Sequence, residues 1–499
     1  MEGDPRRWLM LPVVLSATFI YAFDLNVVNV ALPSLQRHLH AGPAALELVV
    51  GGYAFTYAAG LVTGGRLGDL FGYRRMFLLG MASFTLASVL CGLSETPAEL
   101  VAARLVQGLT AAAMVPQVLA LITATFPPSE RTRALAWFGV TGAISGVVGQ
   151  VGGGLLLDAN VFGLGWRTIF FVNLPVGLVV LALARRVLPR TRTDRRPSLD
   201  PIGVAGISGA LALALVPLTL GNSDGWPPWT WISLVASVPA MTLALRYERR
   251  LARRGSSPLV DLSLFASRGF IAGLGIAVAF MAFFISSIFV MSLLLQTGLG
   301  LTPLQGGLSF VPFCLTAMAT ALLGRRFITR YGAPAVIRGG CVISGVGTVL
   351  LAVTLGAQHG SIALGWLVAG LGIIGAGNSL ILTAYLGATL TAVRPDQAGI
   401  ASGTLNTIQQ FAGSAGLAVI GAVFFTLLGA HPGRAQYADG AEAAMWIGFG
   451  LVITIAALSA LLPRSPAAPQ PAAAAAGDTA AAVQERDRCP IPVTTASED

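Results

Sequence analysis

Apolar residues run along this chain in long, nearly unbroken stretches separated by short polar knots, from about residue 8 to residue 463. Stretches near 20 residues are long enough, as helices, to cross a hydrocarbon core of about 30 Å. Fourteen are predicted, the first eight at 8–32, 46–66, 76–94, 98–125, 134–157, 167–187, 201–220 and 229–247. The other six are at 268–295, 304–324, 334–356, 361–390, 398–428 and 441–463. A helix satisfies its own backbone in lipid, so the expected fold class is an all-α polytopic membrane protein. The first stretch follows Arg6 and Arg7 and is too long and continuous for a signal-peptide core, so it is treated as retained. Connections between stretches are mostly short, which puts function inside the helix bundle.

Composition strengthens this reading. Of 499 residues, 55% are hydrophobic and 11% charged, which no soluble domain resembles. All 31 basic residues are arginine, and their placement orients the chain. With the amino terminus inside, all but Arg37, Arg104, Arg167 and Arg434 fall in cytoplasmic segments, as the positive-inside rule demands. The expected location is therefore the inner (plasma) membrane, multi-pass, with both termini cytoplasmic. A sequence pI near 10 then reflects topology and anionic inner-leaflet lipid, and no nucleic-acid partner is expected. Cys91, Cys314, Cys341 and Cys489 show no metal spacing, and His38, His40, His359 and His431 are expected in outer loops.

The spans group into an N-terminal six-helix bundle (1–190), two linker helices with Arg-rich flanks (191–260), a C-terminal six-helix bundle (261–463) and a disordered cytoplasmic tail (464–499). Matching inner loops mark the two bundles as parallel halves. Gly65 to Arg75 follows span 2, and Arg325 to Gly332 follows span 10 with Thr329 opposite Asp69. Such halves, with a site between them, are what rocking-bundle transporters have.

Asp24 lies inside the first span, where an acid costs roughly 2.5 to 3.5 kcal/mol and must be protonated, paired or hydrated. Arg104, in span 4, is its candidate partner. Asp24 is eight residues before the outer end of its span and Arg104 six after the outer start of its own, about 12 and 9 Å deep. A nearby cation whose distance changes would load and release a proton on the acid; a static buried pair is the alternative. Gly139, Gly142, Gly146, Gly149 and Gly153 put a glycine stripe on one face of span 5, which allows close packing and bending. Asp69 beside Arg66, Arg74 and Arg75 is either an ionic latch or an ordinary turn.

In their joint order these motifs resemble the fourteen-span drug:proton antiporter branch of the major facilitator superfamily, over nearly all of residues 8–463. Asp24 to Pro33 looks like the branch's first-span signature, Gly65 to Arg75 the superfamily loop, and Arg104 to Gly108 the fourth-span coupling motif. Gly149 to Gly154 resembles the antiporter motif and Trp166 to Gly177 the sixth-span signature. Gln296 to Pro312 and Gly399 to Gly416 are similar to later patterns. The resemblance implies proton-coupled export of hydrophobic, antibiotic-like molecules by alternating access. It also implies Asp24 and Arg104 as the proton-coupling pair, Asp69, Arg74, Arg75, Gly65 and Gly72 as the gate, and Gly142, Gly146, Gly149, Gly153 and Gly154 as the antiport hinge.

Two departures bear on detail. Gln150 stands where the antiporter motif usually has proline, which predicts a weaker bend. The C-terminal half is read as having no membrane acid, where exporters of cations in this branch often have one. That favours a neutral, weakly acidic or aromatic substrate. Candidate substrate-binding residues in the N-terminal half are Asn26, Asn29, Gln107 and Gln117. In the C-terminal half they are Phe280, Phe283, Phe284, Gln296, Asn378, Asn406, Gln409 and Gln410. The expected partners are a small hydrophobic substrate, protons and the lipid bilayer, with a monomer as the expected state. No cofactor and no metal are expected, the proton gradient being the energy source. An uptake symporter for a small metabolite would share the fold, and the span 5 glycines weigh against it. An enzyme is not expected, since no catalytic cluster stands near an interface.

Overall fold

The computed structural model describes residues 6–189, 200–221, 225–253, 262–358, 363–393, 398–429 and 432–462. His359, His431, Arg394, Cys489 and the predicted tail at 464–499 lie outside the described residues.

Among the described residues fourteen long helices follow one another. They are α1 (Arg6–Leu39), α2 (Pro43–Phe71), α3 (Tyr73–Leu93), α4 (Pro97–Thr125), α5 (Pro128–Asp158), α6 (Asn173–Val187) and α7 (Pro201–Leu220). After these come α8 (Pro228–Arg253), α9 (Arg268–Leu293), α10 (Val311–Tyr331), α11 (Ala333–Gln358), α12 (Leu364–Thr391), α13 (Ala398–Leu428) and α14 (Arg434–Ser459). Thirteen segments are long and apolar enough to span a membrane, and α7 supplies a shorter apolar stretch, Ile202–Leu218. The chain is all-helical and multi-pass, as its hydropathy pattern predicts.

Local chemistry starts and stops these helices. Proline occupies the first turn of α2, α4, α5 and α7, where its missing N–H is no loss. Thr96 caps α4 by accepting from the Glu99 amide at 3.2 Å, and Ser267 caps α9 from Phe270 at 3.3 Å. Gly72 (φ +90°) ends α2 and Gly332 (φ +80°) ends α10, each in a backbone region that side chains rarely adopt. The predicted loops at Gly65 to Arg75 and Arg325 to Gly332 are therefore helix running up to a one-residue joint, and the two joints match.

Several helices outrun their predicted spans, because a helix continues through the interfacial layer where hydropathy falls. Two predicted spans are interrupted: a single turn, Thr168–Phe171, precedes α6, and a short helix, Pro303–Ser309, precedes α10. A π-turn at Leu294–Gly298 closes α9.

α1 packs on α5, and α4 on α2 and α3; in the other half α12 packs on α10 and α11, and α9 on α13 and α14. The halves meet where α2 runs along α13, where α1 approaches α9, and where Pro303–Ser309 lies on α5. The pair α7–α8 packs together and covers the α2–α13 seam, to which α7 contributes contacts on both sides. Between them is an apolar hollow of about 420 Å³, lined among others by Ala58, Leu211, Leu215, Thr404, Thr407 and Phe411.

Candidate functional site

Asp24 and Arg104 are both fully buried and form an ion pair through Oδ2 and Nη1. The depth argument from sequence is correct in its consequence: α1 and α4 bring the two charges into one layer. Gln107, one turn beyond Arg104, donates from Nε2 to Asp24 Oδ1 at 3.0 Å and accepts from Arg104 Nη1 at 2.7 Å. Arg104 Nε donates to the Val49 carbonyl of α2 at 3.0 Å, and the guanidinium lies 4.0 Å from the centre of the Tyr53 ring. Placing a cation on a desolvated aromatic face contributes up to about 2 kcal/mol. Arg104 Nη2 has no partner among the described residues.

Asn173 completes the cluster, with Nδ2 at 3.4 Å from Asp24 Oδ1 and 2.9 Å from Ser88 Oγ. Ser88 in turn donates to the Phe170 carbonyl at 2.9 Å, so the break before α6 is tied to the acid. Asn173 lies inside the sixth-span signature, yet sequence gave it no role. α4 and α6 bond this carboxylate of α1 directly, and α3 supports it through Ser88.

A tyrosine group missed in the sequence links the cluster to the other half. Tyr21, three residues before Asp24 on α1, stacks on Tyr57 at 4.3 Å and on Tyr53 at 5.9 Å. Gln410 of α13 donates to the Tyr21 hydroxyl at 2.7 Å, and both Asn406 and Tyr21 hydrogen-bond Tyr57. The signal was available: Tyr53 and Tyr57, four apart, share a helix face.

The glycine stripe divides in two. A side chain at Gly149 would meet Asn26 Cβ at 2.8 Å and the Phe23 carbonyl at 3.0 Å, and one at Gly153 would meet Val27 Cγ2 at 2.6 Å. These glycines seat α5 on the turn of α1 that carries Asp24. Gly154 instead abuts Pro303 and Leu304 of the other half, with the Pro303 carbonyl 2.7 Å from a Cβ built there. Gly142 and Gly146 have nothing within 4 Å, so close packing does not explain them. α5 is continuous through Gln150, which is buried with both amide atoms unpartnered.

At the predicted gate no ion pair joins Asp69 to Arg74 or Arg75 among the described residues. Asp69 accepts from the Tyr73 hydroxyl at 2.7 Å, Arg74 reaches the Arg185 carbonyl, and Arg75 is exposed and not paired with Asp69. Gly72 serves as the joint described above, and a Cβ built on Gly65 would stand 3.9 Å from Pro116 Cβ, in ordinary contact.

The candidate substrate residues also sort by contact. Asn26 bonds back to its own helix, and Gln117 donates to the Gly64 carbonyl at 2.7 Å, fastening α2 to α4. Asn378 accepts from Ser344 of α11 at 3.0 Å, and Phe283 is packed against Gly448. These four make helix-packing contacts, and Asn378 also borders a small cavity with Phe284 and Phe313. Asn29 and Gln296 sit where the halves touch: Ser292 Oγ donates to the Asn29 carbonyl and Gln296 Nε2 to that of Val30 at 2.9 Å. Phe280 stacks on Phe284 at 5.8 Å and lies 5.7 Å from Tyr385, to whose hydroxyl Gln409 donates. That cluster is uncharged.

Two acids were overlooked. Glu442 lies inside α14, half-buried against Gly356 of α11 and accepting from Trp446 Nε1 at 3.2 Å, so the C-terminal half does carry a membrane acid. It is the second residue of the predicted span 441–463. Glu47, near the start of α2, is buried.

The Major Facilitator Superfamily model matches residues 14–417. The chain belongs to that superfamily. Members of the superfamily resembling it include a probable actinorhodin transporter of Streptomyces coelicolor, 36% identical over 88% of this chain and 76% of that protein. The tetracenomycin C resistance and export protein of Streptomyces glaucescens is 32% identical over 85% and 77%. The multidrug resistance protein Stp of Mycobacterium tuberculosis is 33% identical over 83% and 75%. Among solved structures, an inward-facing, occupied bacterial homologue of the human lysosomal transporter Spinster aligns with TM-score 0.65 at 16% identity, covering 92% of this chain and 97% of that one. That likeness is one of fold. The superfamily and these relatives are transporters, and this chain is a multi-pass superfamily member.

Proposed function

We propose that this transporter is a proton-coupled antiporter that exports hydrophobic, antibiotic-like molecules across the plasma membrane by alternating access, with both termini cytoplasmic. The buried Asp24–Arg104 pair carries the reading. In the arrangement described, Arg104, Gln107 and Asn173 all bond to the Asp24 carboxyl. A shift of α4 or α6 against α1 weakens those bonds and leaves an unsolvated acid, which then takes up a proton. The Gly149–Gly153 face of α5 gives α1 a closely seated neighbour against which to slide. One proton moving inward across 100 mV supplies about 2.3 kcal/mol.

Export is supported by the relatives, whose names are those of resistance and export proteins. A neutral or weakly acidic substrate is supported by the uncharged Phe280–Tyr385–Gln409 cluster, since Glu442 faces α11 and stands apart from it. The cross-half bonds at Asn29, Val30 and Gly51 lie toward the end of the bundle where α1 finishes. On the proposed topology that end is external and shut.

The test is a proton-release assay in vesicles reconstituted with the full chain, against a panel of neutral, anionic and cationic drugs. Neutral drugs should drive release in the native protein and none in Asp24→Asn. Equal release from both proteins would remove Asp24 from the mechanism, and substrate accumulation running with the proton in inverted vesicles would favour the symporter.

A further inference from the structure

Glu47 is a membrane carboxyl that the coupling mechanism does not use. It is 4% exposed, and its Oε2 has no partner among the described residues. The side chain crosses from α2 to α13 into a notch left by Gly421: a Cβ built on that glycine would stand 2.9 Å from the Glu47 Cδ and nearer still to Oε1. Further along the same face of α2, the Gly51 carbonyl accepts from Ser414 Oγ at 2.8 Å and Phe55 meets Phe411 edge-on at 5.2 Å. Glu47 is thus the last rung of the seam between the halves, at the end where α1 finishes.

Among the described residues no cation forms an ion pair with it. Of the helices packed on α2, α7 and α13 bring no titratable side chain along Pro201–Leu220 and Ala398–Leu428. α4 brings Glu99 and Arg104, and Arg104 is committed to Asp24. α1 brings Arg6 and Arg7 at its far end, where Arg7 pairs with Glu130, and Tyr21, Asp24, Arg37 and His38, of which Arg37 and His38 bond back to carbonyls of their own helix. α3 brings Tyr73, Arg74, Arg75 and Cys91, with the arginines at the opposite end of α2. α2 itself adds Tyr53, Tyr57, Arg66 and Asp69, all farther along the helix. An ionised carboxylate left unpaired and out of water is strongly disfavoured, so a shut seam demands the neutral acid.

We propose that Glu47 is a second proton-binding group, whose protonation is the condition for closing the α2–α13 seam. The proton comes from the solution that reaches the open seam and returns to that same solution when the seam parts. It therefore gates the cycle without crossing the membrane, in contrast to the proton on Asp24. The inference rests on the alternating-access reading above.

Hydrogen–deuterium exchange on the full chain in phospholipid vesicles, corrected for intrinsic rates, reads the seam without substrate or gradient. Protection of peptides spanning 46–55 and 414–421 should fall by about tenfold per pH unit once the open-state acid ionises, because closing then takes up one proton. Glu47→Gln should stay protected across the range, and in the Asp24→Asn background, where position 24 exchanges no proton, the slope set by Glu47 alone should remain. Gly421→Ala, which retains the acid but fills its notch, should lose protection at every pH. A native seam that does not respond to pH, or the same slope in Glu47→Gln, overturns the proposal. Failure of the antiport reading shows separately, in the drug-driven proton release of Asp24→Asn.

Discussion

The two six-helix halves share a frame and differ in what they bury. Phe284 precedes the joint at Gly332 by the same number of residues as Asp24 precedes Gly72. At that level the N-terminal half holds a carboxylate bonded from α4 and α6, and the C-terminal half holds stacked aromatics with Tyr385 and Gln409. One frame can therefore be specialised on one side for charge and on the other for uncharged contact. A buried charge demands partners in fixed geometry, whereas an apolar cluster tolerates repacking. Proton selectivity belongs on the first and substrate breadth on the second.

The sharpest way to break this division is Asp24→Asn, expected to abolish proton-driven efflux while retaining substrate binding; full efflux at a fixed pH gradient would end it. Next is Arg104→Ala. It strands the carboxylate, at a cost of about 3 to 5 kcal/mol in stability, and should shift the pH profile of transport. An unchanged profile in vesicle assays would make the arginine purely structural. Gly153→Leu forces a side chain into Val27 beside Asp24 and should cost about 1 to 3 kcal/mol by overpacking, whereas Gly146→Ala should be close to silent in thermal melts. A smaller effect than that of Gly153→Leu is expected for Tyr385→Phe, which removes the Gln409 partner at about 1 kcal/mol. It should alter the affinity for some drugs severalfold and leave the pH profile unmoved; a moved profile would blur the two halves.

Hydropathy made the spans legible because lipid forces each helix to be apolar over its whole length. The Asp24–Arg104 pair was legible because charges are rare there and depth follows from helical rise. What escaped notice was chemistry with an ordinary alternative use. Tyr21, Tyr53 and Tyr57 read as packing until α13 supplies Asn406 and Gln410. Asn173 reads as one more polar residue near a helix start until Ser88 and Asp24 surround it. Glu47 and Glu442 stand within the first turns of their helices' apolar stretches, where sequence cannot tell a buried acid from one at the headgroups. The latch at Asp69 was indeterminate in sequence, and Tyr73 takes the bond that Arg74 or Arg75 could have made.

The hollow beneath α7 and α8 has a mechanical consequence. An open-sided apolar hollow of about 420 Å³ borders the seam, and pressure favours whichever arrangement eliminates unfilled volume. The two linker helices thereby give the moving seam a soft backing in place of lipid. The balance between the two states of the carrier becomes a function of volume as well as of voltage and protons.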